Sequence, residues 1–181
     1  MILKRLQLSS AWIEKTNCYI IQDEETKETM VIDPAGELEK ILEMLDILNA
    51  KLKYIYLTHC HADHIGADKI ILEADSRIDD DDLIHVGNIE FKVIHTPGHT
   101  NCSTSLYCEK YKMLFSGDTI FRGAWGRTDL PTSSFEDIIK SITEKIIVLP
   151  EDTIVYPGHG KSTVIKEEKP IYIDLKPRLD Y

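Results

Sequence analysis

Lys53-Tyr54-Ile55-Tyr56-Leu57-Thr58-His59-Cys60-His61-Ala62-Asp63-His64 is the stretch whose reading decides the fold. The aromatic and apolar residues Lys53–Leu57 predict a short buried strand. That strand runs directly into three histidines and an aspartate, and a short helix is expected from Ile65. Imidazole nitrogen and carboxylate oxygen are borderline ligands that suit zinc, iron or manganese, whereas thiolates favour closed structural zinc. His59 and His61, two apart in a loop, can face one ion. Asp63 and His64 lie beyond them and can turn toward a second.

Three further motifs share this placement. Thr96-Pro97-Gly98-His99-Thr100 follows a predicted strand over Ile89–Ile94, and Ser116-Gly117-Asp118-Thr119 follows Met113–Phe115. Pro157-Gly158-His159-Gly160 follows Thr153–Tyr156. Each puts glycine just before the candidate ligand, which permits a sharp turn and close backbone approach. Loops at the ends of strands in a rigid sheet are where ligands converge on one point. Four such loops bearing His and Asp predict a catalytic metal site. Three histidines on one ion leave a position for water, and Asp118 has two oxygens with which to bridge a pair of ions. His85 and His95 have no comparable setting; His95 reads as a core or rim histidine beside the core-like run Ile89–Ile94.

Outward from these motifs, the first third predicts strands at Ile2–Leu8, Asn17–Gln22 and Thr29–Ile32, the last closed by Asp33-Pro34. Leu38, Ile41, Leu42, Leu45 and Leu48 recur at helical spacing, predicting a helix over Glu37–Asn49. Strands are also expected at Leu83–Val86 and Ser103–Cys108. A second helix opens at Ser133, with Glu136 completing a capping box and Phe135, Ile138, Ile139, Ile142 and Ile146 as its apolar face. The acidic run Asp79–Asp82 reads as a solvated loop, because it lacks the alternating oxygen ligands and glycine turn of a calcium loop. The order predicts a single α/β domain over residues 1–181, with helices covering sheet faces.

Composition narrows the function class. With 181 residues, 43% hydrophobic and 29% charged, the chain has an ordinary globular balance. A formal charge of −10 argues against a nucleic-acid or anionic-membrane partner. Apolar runs such as Ile146–Pro150 fall far short of the ~20 residues of a membrane helix. Met1–Leu6 lacks the apolar core of a signal peptide. The four cysteines form no CxxC pair, so a reducing cytoplasm is the expected setting.

The motifs Thr58–His64, Thr96–Thr100, Ser116–Thr119 and Pro157–Gly160 together resemble the metal-binding motifs of the metallo-β-lactamase superfamily. The resemblance covers nearly the whole chain, from the Asn17–Asp33 strands to His159. It implies a four-layer αβ/βα sandwich. It also implies a first metal held by His59, His61 and His99, and a second held by Asp63, His64 and His159, with Asp118 bridging. Cys60 occupies a variable motif position and is not expected to be a ligand. Aspartate at 118 argues against the β-lactamases proper, which commonly place cysteine there.

Phe121–Leu130 resembles the glyoxalase II-like (hydroxyacylglutathione hydrolase-like) branch, which hydrolyses small acyl thioesters. The resemblance implies two divalent metal ions, with zinc expected and iron or manganese also suited, and a water made nucleophilic between them. Arg127 is then expected to contact substrate, with Trp125 beside it, although an Arg127–Asp129 ion pair and packing of Trp125 are the plainer readings. Asp129 stands where that branch has a tyrosine that helps hold glutathione. No C-terminal helical glutathione-binding domain is expected in residues 160–181. The connection from His64 to His99 is shorter than the family usually has, which implies either an open cleft or a sequence that lacks a segment. The same motifs resemble the persulfide dioxygenases, mononuclear iron oxidoreductases, and that reading stays open.

Overall fold

Strand β2 (Thr16–Gln22) is buried at every position. It can be so because its alternating side chains enter two different apolar layers: Tyr19 and Ile21 face one cluster, Cys18 and Ile20 another. The computed structural model describes residues 1–9, 15–65 and 78–175. β2 pairs antiparallel with β1 (Ile2–Leu8), placing Leu6 opposite Cys18, and with β3 (Glu28–Ile32), placing Ile20 opposite Val31. β4 (Lys51–Tyr56) runs parallel to β3 at the edge of this sheet, reached through helix α1 (Leu38–Ile47). After the short helix α2 (Ala62–Ile65) comes a second sheet, formed by β5 (Leu83–Val86), β6 (Ile89–His95), β7 (Thr104–Cys108) and β8 (Met113–Gly117). β9 (Ile120–Phe121) and β10 (Ala124–Trp125) form a small hairpin. Beyond helix α3 (Phe135–Lys140), β11 (Ile154–Pro157) pairs parallel with β8, and β12 (Thr163–Val164) completes the order β12-β11-β8-β7-β6-β5.

Three apolar clusters separate four layers. Ile41 of α1 packs on Ile20 and Val31, on the outer face of the first sheet. Tyr19, Ile21, Met30 and Ile32 meet Phe91, Val93, Leu106 and Phe115 between the sheets. Leu114 and Val155 carry Ile138, Ile139, Ile142 and Ile146, with Ile165 and Tyr172 from helix α4 (Ile165–Tyr172). This is the αβ/βα sandwich. None of the helices among the described residues is long and apolar enough to cross a membrane.

Several expectations need correction. β4 was expected to be a buried strand over Lys53–Leu57, yet Lys51 to Tyr54 are exposed and only Tyr56 is buried, because the strand has a neighbour on one side only. The short helix expected from Ile65 lies earlier, at Ala62–Ile65, and any continuation past Ile65 falls outside the described residues. The cap of α3 is Ser134, not Ser133. Ser134 is the residue in extended conformation, and its hydroxyl accepts from the Asp137 N–H at 3.1 Å. The Ser133 hydroxyl instead closes a turn with Leu130. Phe135 was expected on the buried face but is 54% exposed, packing beside Trp125.

α3 widens into a π-helical turn over Ser141–Ile146, with the Ile147 N–H donating to Ile142 O. Its position is set by the Ser141 hydroxyl, which donates to Pro97 O at 2.7 Å. Gly98, at φ +136°, lies so close to Ile138 that a Cβ would overlap the helix backbone. The His99 loop is therefore seated directly on the outer helical layer. Removing apolar volume there should be costly: Ile142→Ala is expected to lower unfolding stability by about 2–5 kcal/mol. Leu52→Ala, on the exposed edge strand, should cost less than about 1 kcal/mol. Urea unfolding of the two variants measures the difference.

Candidate metal centre

Four strand-end loops bring the seven expected ligands together. The β4–α2 loop supplies His59 and His61, and α2 itself supplies Asp63 and His64. The turns after β6, β8 and β11 supply His99, Asp118 and His159. Their ligand atoms form three overlapping groups: His59, His61 and His99; His59, His64 and Asp118; and Asp63, His64 and His159. Within each group the atoms lie within 4.8 Å of one another. His61 Nδ1 is 2.8 Å from His99 Nε2, and His159 Nε2 is 3.2 Å from Asp63 and 3.4 Å from Asp118.

Hydrogen bonds behind the ligands decide which ring nitrogens face inward. Asp33, buried and in the left-handed region at φ +51°, sits just after β3. Its carboxylate accepts from the Thr58 N–H and hydroxyl, both at 2.8 Å, and from His64 Nδ1 at 2.9 Å. Because the Thr58 hydroxyl donates its hydrogen bond to Asp33, it accepts from His59 Nδ1 at 3.1 Å. His99 Nδ1 donates to the Arg127 carbonyl at 2.9 Å. These three rings therefore direct Nε2 into the site, an arrangement that orients metal-ligating histidines. Asp33 was read from sequence only as the end of a strand. Its signal would have been a carboxylate at the end of a buried strand, with no charged partner nearby in sequence.

The donor set fits divalent ions. His59 Nε2, His64 Nε2 and Asp118 Oδ1 are buried and make no hydrogen bond, an orphaning that a coordinated cation relieves. Burial, aided by neighbouring His64, pushes the His59 pKa down to about 3, leaving the neutral ring a metal requires. Burial opposes charge on His159 as well, but hydrogen bonds to Asp118 and Asp63 outweigh it and raise the pKa to about 9. Asp118 is held well below the usual carboxylate range despite its burial, by His159 and His64. Without a cation, protons on histidine balance the two carboxylates; with one, the metal takes that place.

The site opens on a cleft of about 500 Å³ walled by Phe121, Gly126, Arg127 and Leu130. A larger groove of about 670 Å³ between Leu83, Ile94, Tyr107 and Val148 holds none of the ligand groups. Of the two expected substrate residues, Arg127 lines the cleft, but its guanidinium forms a two-pronged pair with Asp129 at 2.7 and 2.8 Å. Trp125 packs between Phe135 and Tyr172. Cys60 is exposed and lies outside the ligand groups among the described residues. His95 bonds the Asn101 carbonyl, and His85 pairs with Glu90. The expected openness from the short His64–His99 connection concerns residues 66–77, which lie outside the described residues.

Comparison with known proteins agrees with this geometry. Residues 12–76 and 68–159 match the family described as the metallo-beta-lactamase superfamily. The hydroxyacylglutathione hydrolase GloC of Haemophilus influenzae is 32% identical, over 84% of this chain and 89% of its own. The mitochondrial persulfide dioxygenase ETHE1 of Homo sapiens is 31% identical, over 91% of this chain and 71% of its own. The crystal structure of BLEG-1, a B3 metallo-beta-lactamase, superposes with a TM-score of 0.85 at 30% identity, covering 97% of this chain and all of that one.

Two substitutions test the site without touching a ligand. Asp33→Asn leaves His64 without its anionic partner and should weaken metal affinity about 10–100-fold. Gly158→Ala places a methyl against Asp118 Oδ1 and His64 Cε1, so it should lower occupancy of the Asp63–His64–His159 group more than that of the three-histidine group. Metal titration with folding followed by circular dichroism checks both; unchanged metal binding in Gly158→Ala would contradict the packing described.

Proposed function

Because the chain belongs to the metallo-β-lactamase superfamily, we propose that it is a metal-dependent hydrolase of small acyl thioesters, working with two divalent ions. The observation that carries this reading is the completeness of the second ligand group. Asp63, His64 and His159 converge beside the three-histidine group, and Asp118 reaches both, so donors for a second ion are in place. Three histidines would hold the first ion, Asp63, His64 and His159 the second, and Asp118 would span them. Zinc suits this set, and so do iron and manganese. When bound, such a pair acidifies water to a nucleophile at neutral pH and polarises the scissile carbonyl.

The rest of the reading concerns the chain's own groups. Phe121 and Leu130 offer the acyl part an apolar wall beside the ligands. A thiolate departs without protonation, which agrees with the lack of a spare acid among the ligand motifs. Arg127 is proposed to meet a substrate carboxylate at the cleft edge. Asp129 already neutralises that guanidinium, so the attraction is a competition between two carboxylates. Arg127→Ala should therefore raise KM for carboxylate-bearing thioesters by only a few-fold, with kcat little changed.

The second reading, a mononuclear iron dioxygenase acting on persulfides, is favoured by the ETHE1 similarity. One preparation separates the two. Metal is counted in protein purified without supplement, and the same sample is assayed for thioester hydrolysis, persulfide-dependent oxygen uptake and β-lactam hydrolysis. Two ions per chain with thioester turnover are expected. A single iron with oxygen uptake would replace this proposal with the second reading. Asp118→Ala should abolish turnover and reduce metal at both positions, while His95→Ala should leave metal content unchanged; equal loss in both would mean that the ligand assignment is wrong.

A further inference from the structure

The turn that carries His99 is held from one side by a single face of the helix that packs on it. The Ser134 N–H donates to Gly98 O at 2.8 Å, the Ser141 hydroxyl to Pro97 O at 2.7 Å, and Lys145 Nζ to His95 O at 2.8 Å. Ile138 lies between these donors, against Gly98. Positions 134, 138, 141 and 145 are spaced four, three and four apart, which keeps them on one stripe of a helix. The stripe follows the loop backbone from Gly98 back to His95. Its last two contacts fall where α3 widens into the π-helical turn, an irregularity found often at functional positions in helices. Ser141 is buried. Lys145 reaches further, since Nζ also donates to Asp80 Oδ2 at 2.9 Å, while Asp80 Oδ1 accepts the His95 N–H at 2.7 Å. The acidic run before β5 is thereby tied to the same turn.

We infer that Ser141 and Lys145 are positioning residues for His99. Neither belongs to a ligand group or lines the cleft beside it. They act through the carbonyls of Pro97 and His95, two and four residues before the ring. A metal ligand has to be held within about 0.5 Å of its working place. Pro97 has no N–H with which to add a bond of its own, and Gly98 lies at φ +136°. Bonds from outside the turn therefore set its shape. Without the Ser141 hydroxyl, Pro97 O loses its donor and the turn relaxes toward another partner. The ring then leaves the point where His59, His61 and His99 converge. This role rests on the metal-centre assignment and holds whether the reaction is hydrolysis or oxygenation.

The test is titration of the metal-free full chain with cobalt(II), read by visible absorption, with folding followed by circular dichroism. Ser141→Ala should weaken cobalt affinity roughly 3–10-fold, less than loss of a group bonded directly to a ligand, and should change the absorption bands. Ser141→Thr keeps the hydroxyl and should restore most of the affinity and the wild-type bands. Ile41→Ala removes core volume in the layer beyond the first sheet. It should unfold at lower urea yet bind cobalt as the wild type does, which separates positioning from general stability. Lys145→Met, at a less buried position, should weaken cobalt in the same direction by less, and it carries the test if Ser141→Ala does not fold. Wild-type affinity and bands in Ser141→Ala, a folded Ser141→Thr no better than Ser141→Ala, or equal weakening in Ile41→Ala would each overturn the proposal. A wild-type chain that takes no cobalt would remove the metal centre itself, and this role with it.

Discussion

One buried carboxylate, that of Asp33, joins the scaffold to the chemistry. It anchors Thr58 through backbone and hydroxyl, and His64 through Nδ1. By accepting the Thr58 hydroxyl's hydrogen bond it also decides which nitrogen of His59 faces the site. A buried charge is tolerated only when it is fully hydrogen-bonded or balanced. Asp33 meets that condition by holding two loops in one geometry, so the end of β3 fixes the position of ligands carried after β4. The same logic recurs at His99, whose Nδ1 is held by the Arg127 carbonyl.

The outer helical layer extends this control to the cleft wall. Glu168 of α4 is buried, and its carboxylate accepts from the Gly123 N–H at 2.9 Å and the Thr163 hydroxyl at 2.6 Å. The Tyr172 hydroxyl donates to Ala124 O at 2.6 Å, and its ring meets Trp125 edge-on. The β9–β10 hairpin and the loop that follows it, including Arg127, are thus held from behind by α4. Trp125 serves this packing, which explains why an aromatic residue beside a cleft is turned away from it. A two-stranded hairpin is too small to be stable alone, so its shape depends on that helix.

Charge follows a similar division. The chain carries −10 overall, and its ligand site concentrates Asp63 and Asp118 against histidines that burial would otherwise keep neutral. Such a cluster favours cations strongly and anionic substrates weakly. Arg127, the basic group on the cleft, is already occupied by Asp129. The cleft wall therefore offers a ligand the apolar surfaces of Phe121 and Leu130 rather than a fixed counter-charge.

Much of this was legible in the linear chain because it depends on local chemistry. Ligand-type residues behind glycine turns at strand ends announced the metal centre. Period-two and period-3.6 apolar patterns announced the strands, α1 and α3, since burial of alternating faces requires them. What the chain did not reveal were facts set by partners remote in sequence. β4 reads as a buried strand by its own residues, yet it is an edge, because sheet order is decided by β3 and α1. Ser133 and Ser134 are equally good caps locally; the fit of Gly98 against Ile138 and of Ser141 against Pro97 settled the register of the helix. Asp33 looks like an ordinary strand terminator until Thr58 and His64 fold onto it. The sequence by itself determined which residue types gather at the strand ends and, β4 apart, which faces are buried, because those follow from motif and period. Only the tertiary structure decided which nitrogens point inward and which loops touch, because hydrogen-bond partners exist only once distant segments are packed together.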